Sequence, residues 1–380
     1  MDSQNTNTAV VRGLEKVIAA ETKISFVDGE NGRLFYRGYN IDELAGKTSF
    51  EECVFLLWYG ELPNRHQLAS FRVSLISEMR LPAQVVDLLA LVPPNANPMV
   101  ALRTAVSALG LFDPDGGDNS PEANTRKSRR LLAQTATIIA VLHRLRNKQP
   151  ILSPDPRSPF TANFFYTLHG RMPTELENNA LDTTLLLHCD HGLAASTFAA
   201  RVAASTLAGM HSALCAALAT LKGPLHGGAN RKAMEMLEEV GGAKQVNEYI
   251  DGMLADGKRI MGFGHRVYKT EDPRTKHLKD LSLQLCDAAG LSQLHEISEH
   301  IERAVKEKKG IFPNTDFYSA TTQAALGIPK EFYTAIFAAA RTSGWIAHII
   351  EQFADNRLIR PTSSYTGGYD KVWKPIDQRE

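Results

Sequence analysis

A mostly helical fold opened by a short N-terminal β-hairpin is predicted by three features of the sequence. Helix-length runs recur at 195–221, 229–240, 246–255 and 330–353. One pair of β-prone runs lies at 24–27 and 33–36, after which helix signals dominate. No alternation of strand and helix patterns accompanies them, so a parallel sheet is not expected. With 380 residues, 43% of them hydrophobic, the chain exceeds the length at which one core usually stops growing, and two domains are expected.

Asp28-Gly29-Glu30-Asn31-Gly32 supplies the turn residues of the hairpin. Ser49 and Glu52 have capping-box spacing ahead of Val54, Phe55, Leu57 and Trp58, and Gly60 and Pro63 end that helix. Ser120-Pro121-Glu122 reads as an N-cap, a first-turn proline and a first-turn acid. The Gly- and Asp-rich stretch 113–120 and the proline-rich stretch 149–161 read as surface connections. Residues 202–221 carry no formal charge, but they are mostly Ala, Ser and Thr with His211 among them. A buried Ala-rich helix is expected there rather than a membrane span.

Lys and Arg total 42, as do Asp and Glu, so no global field attracts nucleic acid or an anionic membrane, and an anionic ligand must be caught locally. Cys53, Cys189, Cys215 and Cys286 lack CxxC spacing and suit free thiols in a reducing compartment. The first sixteen residues resemble neither a secretory signal nor a transit peptide. A cytoplasmic protein is expected.

Three segments carry chemistry. Gly223-Pro224-Leu225-His226-Gly227-Gly228 sets a histidine in a glycine-rich turn before a helical run. A helix N-terminus disfavours an imidazolium, so His226 can stay neutral and donate to a carbonyl; simple capping is the plainer alternative. Ile260-Met261-Gly262-Phe263-Gly264-His265-Arg266-Val267-Tyr268 fails the dinucleotide fingerprint at Val267, and it has no Gly-Lys-Ser/Thr of a P-loop. What remains is exposed backbone flanked by Lys258, Arg259, Arg266, Lys269 and Arg274, able to receive a phosphate-bearing ligand or to be a solvated basic loop. In Pro313-Asn314-Thr315-Asp316, the carboxylate is either an N-cap or, if partly buried, a general base. A fourth constellation, His188-Cys189-Asp190-His191, invites a metal reading if its histidines share a helical face. No further ligands are identified by spacing, and HExxH and HxxEH are absent.

GPLHGGAN, IMGFGHRVYK, DPR, PNTDFYSA and the late NRLIRP, in this order, resemble the citrate synthase family. The likeness runs from Gly13-Leu14-Glu15 through Tyr36-Arg37-Gly38-Tyr39 and Leu62-Pro63 to Tyr365. It implies His226, His265 and Asp316 as the catalytic three. It also implies His191, Arg274, Arg341 and Arg360 as the ligands of oxaloacetate, and Arg259, Ile260, Met261, Gly262 and Phe263 as the CoA-recognition loop. A large helical domain at 1–227 and 326–380, with a small one at 228–325, is implied too. So is acetyl-CoA as cosubstrate, with no metal and no permanently bound cofactor. The chain begins at the family core, so a homodimer is expected, with Arg360 reaching the neighbouring site and 195–221 a helix at the interface.

The chemistry fits these residue types. An acetyl methyl group is a weak carbon acid, so Asp316 must take its proton while neutral His226 stabilises the enol oxygen, and arginines bind carboxylates in pairs. One departure stands out: members commonly read Glu-Leu-Asn after the second histidine of HxDH, where this chain has Gly192-Leu193-Ala194. A 2-methylcitrate synthase using propionyl-CoA is an open alternative, since one methylene is worth only about 1–3 kcal/mol of discrimination. A metal-dependent hydrolase and an inactive binding paralogue are more distant ones.

Overall fold

The computed structural model describes residues 10–379. Residues 1–9 of the N-terminal stretch read above fall outside the described residues. The fold is mostly helical, as expected, with a single three-stranded antiparallel sheet among the described residues. Strand β1 (Ser25–Asp28) pairs with β2 (Arg33–Tyr36), with Ser25 opposite Tyr36 and Asp28 opposite Arg33. A third strand not anticipated, β3 (Tyr39–Asn40), folds back on β2. Asp28 closes the hairpin turn by accepting from Asn31 and Arg33.

Local chemistry sets the helix ends. Ser49 and Glu52 form the expected capping box of the Phe50–Tyr59 helix, and Gly60 ends it in the left-handed region at φ 94. Ser120 caps the 26-residue Pro121–Arg146 helix. The helices Ala229–Val240 and Val246–Ala255 have the expected bounds. The 330–353 run is a 3-10 turn, Lys330–Phe332, leading into Tyr333–Ala354.

The single helix expected over 195–221 is two helices, Ala195–Ser205 and Met210–Leu221. Leu207 has φ 61 and Gly209 has φ 87, so the backbone reverses there and the two helices pack on each other. Only Gly209 marks this break in the sequence, inside a run otherwise uniform in apolar and small residues.

The Tyr333–Ala354 helix is the axis of the larger packing layer. It touches Ala195–Ser205, Pro121–Arg146, Phe50–Tyr59, Glu175–His188 and Met210–Leu221. A second group packs around Thr315–Ala325, which lies against Pro273–Ala288 and Ala229–Val240. Pro273–Ala288 also meets Glu175–His188, joining the two groups beside the turn that carries His191. Among the described residues, no helix is long and apolar enough to cross a membrane.

At Gly344 the axial helix presses on that turn. A Cβ there would lie 2.2 Å from the Cys189 carbonyl oxygen and 2.5 Å from Asp190 Oδ1. Gly344→Ala should therefore destabilise the protein by about 1–3 kcal/mol, as overpacking of a tight core does. Denaturant unfolding reads this directly, and an unchanged midpoint would contradict so close a contact.

Candidate active site

The Glu175–His188 helix starts at a Thr174/Glu177 capping box and ends at His188, so His191 lies beyond the helix. The two histidines of HCDH therefore do not share a helical face. Asp190, fully buried, holds the turn: its carboxylate accepts from the Ser25 hydroxyl, from the Gly192 amide at 3.1 Å and from His348 Nε2 at 3.3 Å. Arg201 donates to His348 Nδ1 at 3.2 Å, which leaves the His348 proton on Nε2 facing Asp190. Tyr36 Oη donates to the Asp190 carbonyl at 2.8 Å. His188 Nδ1 donates to the Thr184 carbonyl at 2.7 Å. These groups are engaged as a scaffold. Among the described residues no set of three or more His, Cys, Asp or Glu is arranged to hold a metal.

His265 and Asp316 come together because two backbone segments pair. The Gly264 amide donates to Phe312 O at 2.9 Å and the Asn314 amide to Gly262 O at 2.9 Å, while Asn314 Nδ2 reaches Gly264 O at 2.9 Å. Gly262 is needed here: φ is 80, and a Cβ would lie 2.9 Å from that of Phe317. Asn314, not Asp316, is the N-cap of Thr315–Ala325, since its side chain accepts the Asp316 amide at 3.0 Å. The Asp316 carboxyl, on the second residue of the helix, has no hydrogen-bond partner among the described residues.

The tautomers follow from the donors around each ring. His265 Nδ1 accepts the amides of Val267 and Tyr268 at 3.0 and 3.1 Å, so a neutral His265 carries its proton on Nε2. His226 Nε2 accepts the Ser196 amide at 3.3 Å and lies 2.7 Å from Ser196 Oγ, itself an acceptor from Trp345 Nε1 at 3.2 Å. A neutral His226 therefore carries its proton on Nδ1. Both rings are held neutral. Burial pulls His226 down to about 4, with the Arg341 cation adding to it. Burial and the Arg274 cation bring His265 to about 4 as well. His226 also precedes the N-terminus of Ala229–Val240, whose dipole acts in the same direction. His191 sits with its ring centroid 5.2 Å from that of His265, its Nε2 3.1 Å from Tyr268 Oη, and burial and Arg274 hold it well below the usual range. Asp316 moves the other way: burial raises its carboxyl to about 6 despite Arg274 and Arg341.

The arginines differ in their partners. Arg274, buried, is held by Asp272 through Nε at 2.9 Å and Nη2 at 2.7 Å. Arg341 is only 2% exposed and, among the described residues, donates a single hydrogen bond, Nε to the His188 carbonyl at 2.7 Å. Its guanidinium lies over Phe337, and no carboxylate is within ion-pair distance among the described residues. Arg360 is not brought to this cluster. It is exposed in the extended segment after Ala354, and its neighbour Ile359 donates to Ser205 Oγ at 3.1 Å. Ser205 lies nine residues along its helix from Ser196, roughly 14 Å at the helical rise.

His226, His265 and Asp316 share the wall of one cavity of about 630 Å³ with Arg259, Ile260, Met261, Gly262 and Phe263. Lys258, Arg266 and Lys309 line the same cavity, so basic side chains and an acid–base cluster share its wall.

Comparison with known proteins places this arrangement. A family model, citrate synthase C-terminal domain, matches residues 13–362. The chain belongs to the citrate synthase family. It is 44% identical to citrate synthase 2 of Bacillus subtilis (strain 168) over 369 residues, covering 97% of this chain and 99% of that one. It is 42% identical to the citrate/2-methylcitrate synthase of the same organism over 356 residues, with 93% and 96% covered. Among solved structures, the citrate synthase of Thermoplasma acidophilum in a ternary complex with carboxymethyl coenzyme A and oxaloacetate superposes with a TM-score of 0.92 at 33% identity, covering 98% of this chain and 100% of that one.

Several residues around this cluster escaped sequence reasoning. Ser196 and Trp345 look like ordinary helix residues, and only the fold brings them to His226. Tyr268 lies three residues after His265 in a segment already singled out. Asp272 could have been found as an N-cap before Pro273, and Asn314 as one before Thr315. At the departure from the family pattern, Gly192 has φ 60, and Ala194 caps Ala195–Ser205 without a side-chain hydrogen bond. The Ser196 amide, in that uncapped first turn, goes to His226 instead.

The Asp316 shift fixes a sign. Its folded pKa of about 6 lies above the ordinary 3.8, so the folded protein binds the proton more tightly than the unfolded chain. Below about pH 4 both states are protonated; between about 4 and 6 the unfolded chain loses the proton while the folded carboxyl keeps it, so stability falls as pH rises, and the loss is complete above about 6. Asp316→Asn should raise the thermal midpoint above pH 6, and the gain should vanish below about pH 4. A gain independent of pH would contradict this.

Proposed function

We propose that the protein is a citrate synthase, an acyltransferase that condenses acetyl-CoA with oxaloacetate and water to give citrate and CoA. One observation carries the reading. A carboxyl group raised to about 6 faces the same cavity as two neutral imidazoles whose free N–H groups sit on opposite ring nitrogens.

In this reading Asp316 removes a methyl proton of the acetyl thioester, and His226 Nδ1–H stabilises the oxygen on which enolate charge develops. The enol carbon attacks the ketone of oxaloacetate, whose carbonyl is polarised by His265 Nε2–H. His265 passes that proton to the new alkoxide, and water then cleaves the citryl thioester to release CoA. Arg274, Arg341 and His191 hold the oxaloacetate. Arg341 is the strongest support, because a buried cation with no anion of its own suits a dicarboxylate ligand. The loop Arg259–Phe263 with its basic rim takes the CoA, and no metal or permanent cofactor takes part.

The helices between 228 and 325 form a small domain that closes on a larger one built from 1–227 and 326–380, shutting out water until the new bond forms. The unit is a homodimer in the cytoplasm, with the helices Ala195–Ser205 and Met210–Leu221 at the interface. Arg360, exposed and remote from its own chain's His226, completes the neighbouring site. A second reading, 2-methylcitrate synthesis from propionyl-CoA, is supported by the 42% identity to a relative that carries both names.

A thiol-release assay crossing acetyl-CoA and propionyl-CoA with oxaloacetate tests the proposal. CoA release from acetyl-CoA should require oxaloacetate and persist in a strong chelator. Asp316→Ala or His226→Ala should cut kcat about 10²–10⁴-fold with oxaloacetate affinity retained. Release without oxaloacetate, or activity lost to chelator and restored by zinc, would overturn it. Turnover confined to propionyl-CoA would select the second reading.

A further inference from the structure

His191 and His265 stand on segments 74 residues apart, yet their ring centroids are separated by 5.2 Å. Both segments rest on the N-terminal hairpin. At the start of β1 the Ser25 hydroxyl donates to Asp190 and accepts the Gly192 amide at 3.0 Å, on either side of His191. Val27 comes next, its Cγ2 3.5 Å from where a Cβ of Gly192 would be. At the far end, the Lys269 amide donates to the Gly29 carbonyl at 2.8 Å.

Contact at that end admits no side chain. A Cβ at Gly29 would lie 2.3 Å from the Val267 carbonyl oxygen, and one at Gly32 2.5 Å from Thr270 Oγ1 and 2.8 Å from Glu271 O. At Gly29 the close approach alone demands glycine, while Gly32 also has φ 60. The Val267 peptide is the critical one, since the Val267 and Tyr268 amides are the two donors that orient His265. On the inner side of the same loop, Tyr268 Oη reaches His191 Nε2 at 3.1 Å.

We infer that the β1–β2 hairpin is a spacer that sets the distance and angle between His191 and His265, with Gly29 and Gly32 as positioning residues for polarising the ketone. This rests on the citrate synthase reading, which gives those two rings a common substrate. The hairpin has the stiffness a spacer needs, because two strands are paired in register and the turn is closed on Asp28. A side chain at Gly29 would meet the Val267 carbonyl first and the Val267 Cγ1 next at 3.0 Å, so the loop must move. Small displacements of a polarising donor cost rate steeply, on the order of 10²-fold for 1 Å.

The test compares Gly29→Ala, Gly32→Ala and the exposed-tip control Glu30→Ala with the wild type. Two measurements are made on the full-length protein: kcat and KM for oxaloacetate in the thiol-release assay, and NMR spectra of histidine-labelled, ligand-free protein. Each glycine variant should lose at least tenfold in kcat/KM for oxaloacetate, keep its KM for acetyl-CoA within about twofold, and shift the His265 ring signals, while Glu30→Ala leaves all three unchanged. Either glycine variant suffices should the other not fold. A folded glycine variant with wild-type kinetics and unmoved His265 signals overturns the inference. Wild-type turnover judges the citrate synthase reading separately. If that reading fails, the ring signals still decide whether the hairpin positions His265.

Discussion

A buried guanidinium without a carboxylate of its own is the constraint on which the site depends. Arg341 lies in the axial helix with one hydrogen bond to a carbonyl, and burial works against its charge. Desolvating such a cation costs several kcal/mol unless an anion compensates. Arg274 poses the same problem but is matched by Asp272 in a two-pronged pair. One cation is thus paired inside the protein; the other feels the charge of Asp190 without an ion pair, and in the proposed reading oxaloacetate supplies its partner.

The rest of the electrostatics follows from those two charges and from burial. His226, His265 and His191 are all driven toward the neutral form, with burial first and an arginine second in each case. Neutrality gives each ring one donor and one acceptor, and for His226 and His265 the backbone amides of Ser196, Val267 and Tyr268 decide which nitrogen is which. Asp316 is raised by burial, and among the described residues no hydrogen bond offsets it. Arg274 and Arg341 offset only part of that burial, and the result suits the base role proposed for this carboxyl near neutral pH. The scaffold is correspondingly rigid: Asp190, His348, Arg201 and Glu351 form a continuous network behind His191, and Gly344 lets the axial helix approach it.

Much of this was legible in the sequence where local chemistry decides structure. The hairpin turn, the Ser49 and Ser120 caps and the helices Ala229–Val240 and Val246–Ala255 were all signalled by short-range patterns. The break at Thr206–Gly209 was not, because a uniform small-residue run has the same periodicity whether it is one helix or two antiparallel ones. His226, His265 and Asp316 stood out through glycine-rich or capped surroundings. The residues that hold His226 and the His191 turn did not, since Ser196, Trp345 and Ser25 reach them only through contacts 30 or more residues apart along the chain. HCDH misled in an instructive way. Its residue types suit a metal, yet the fold spends Asp190 and His188 on fixing the turn from which His191 projects.

The central claim, that Arg341 is a cation held at a cost for an anionic ligand, is tested most directly by thermal unfolding of Arg341→Met with and without oxaloacetate. Without ligand, the variant should melt at or above the wild type, because an apolar side chain replaces an unpaired buried charge. With saturating oxaloacetate the wild type should gain several degrees and the variant little or nothing. A variant that is less stable alone yet equally stabilised by oxaloacetate would contradict the account.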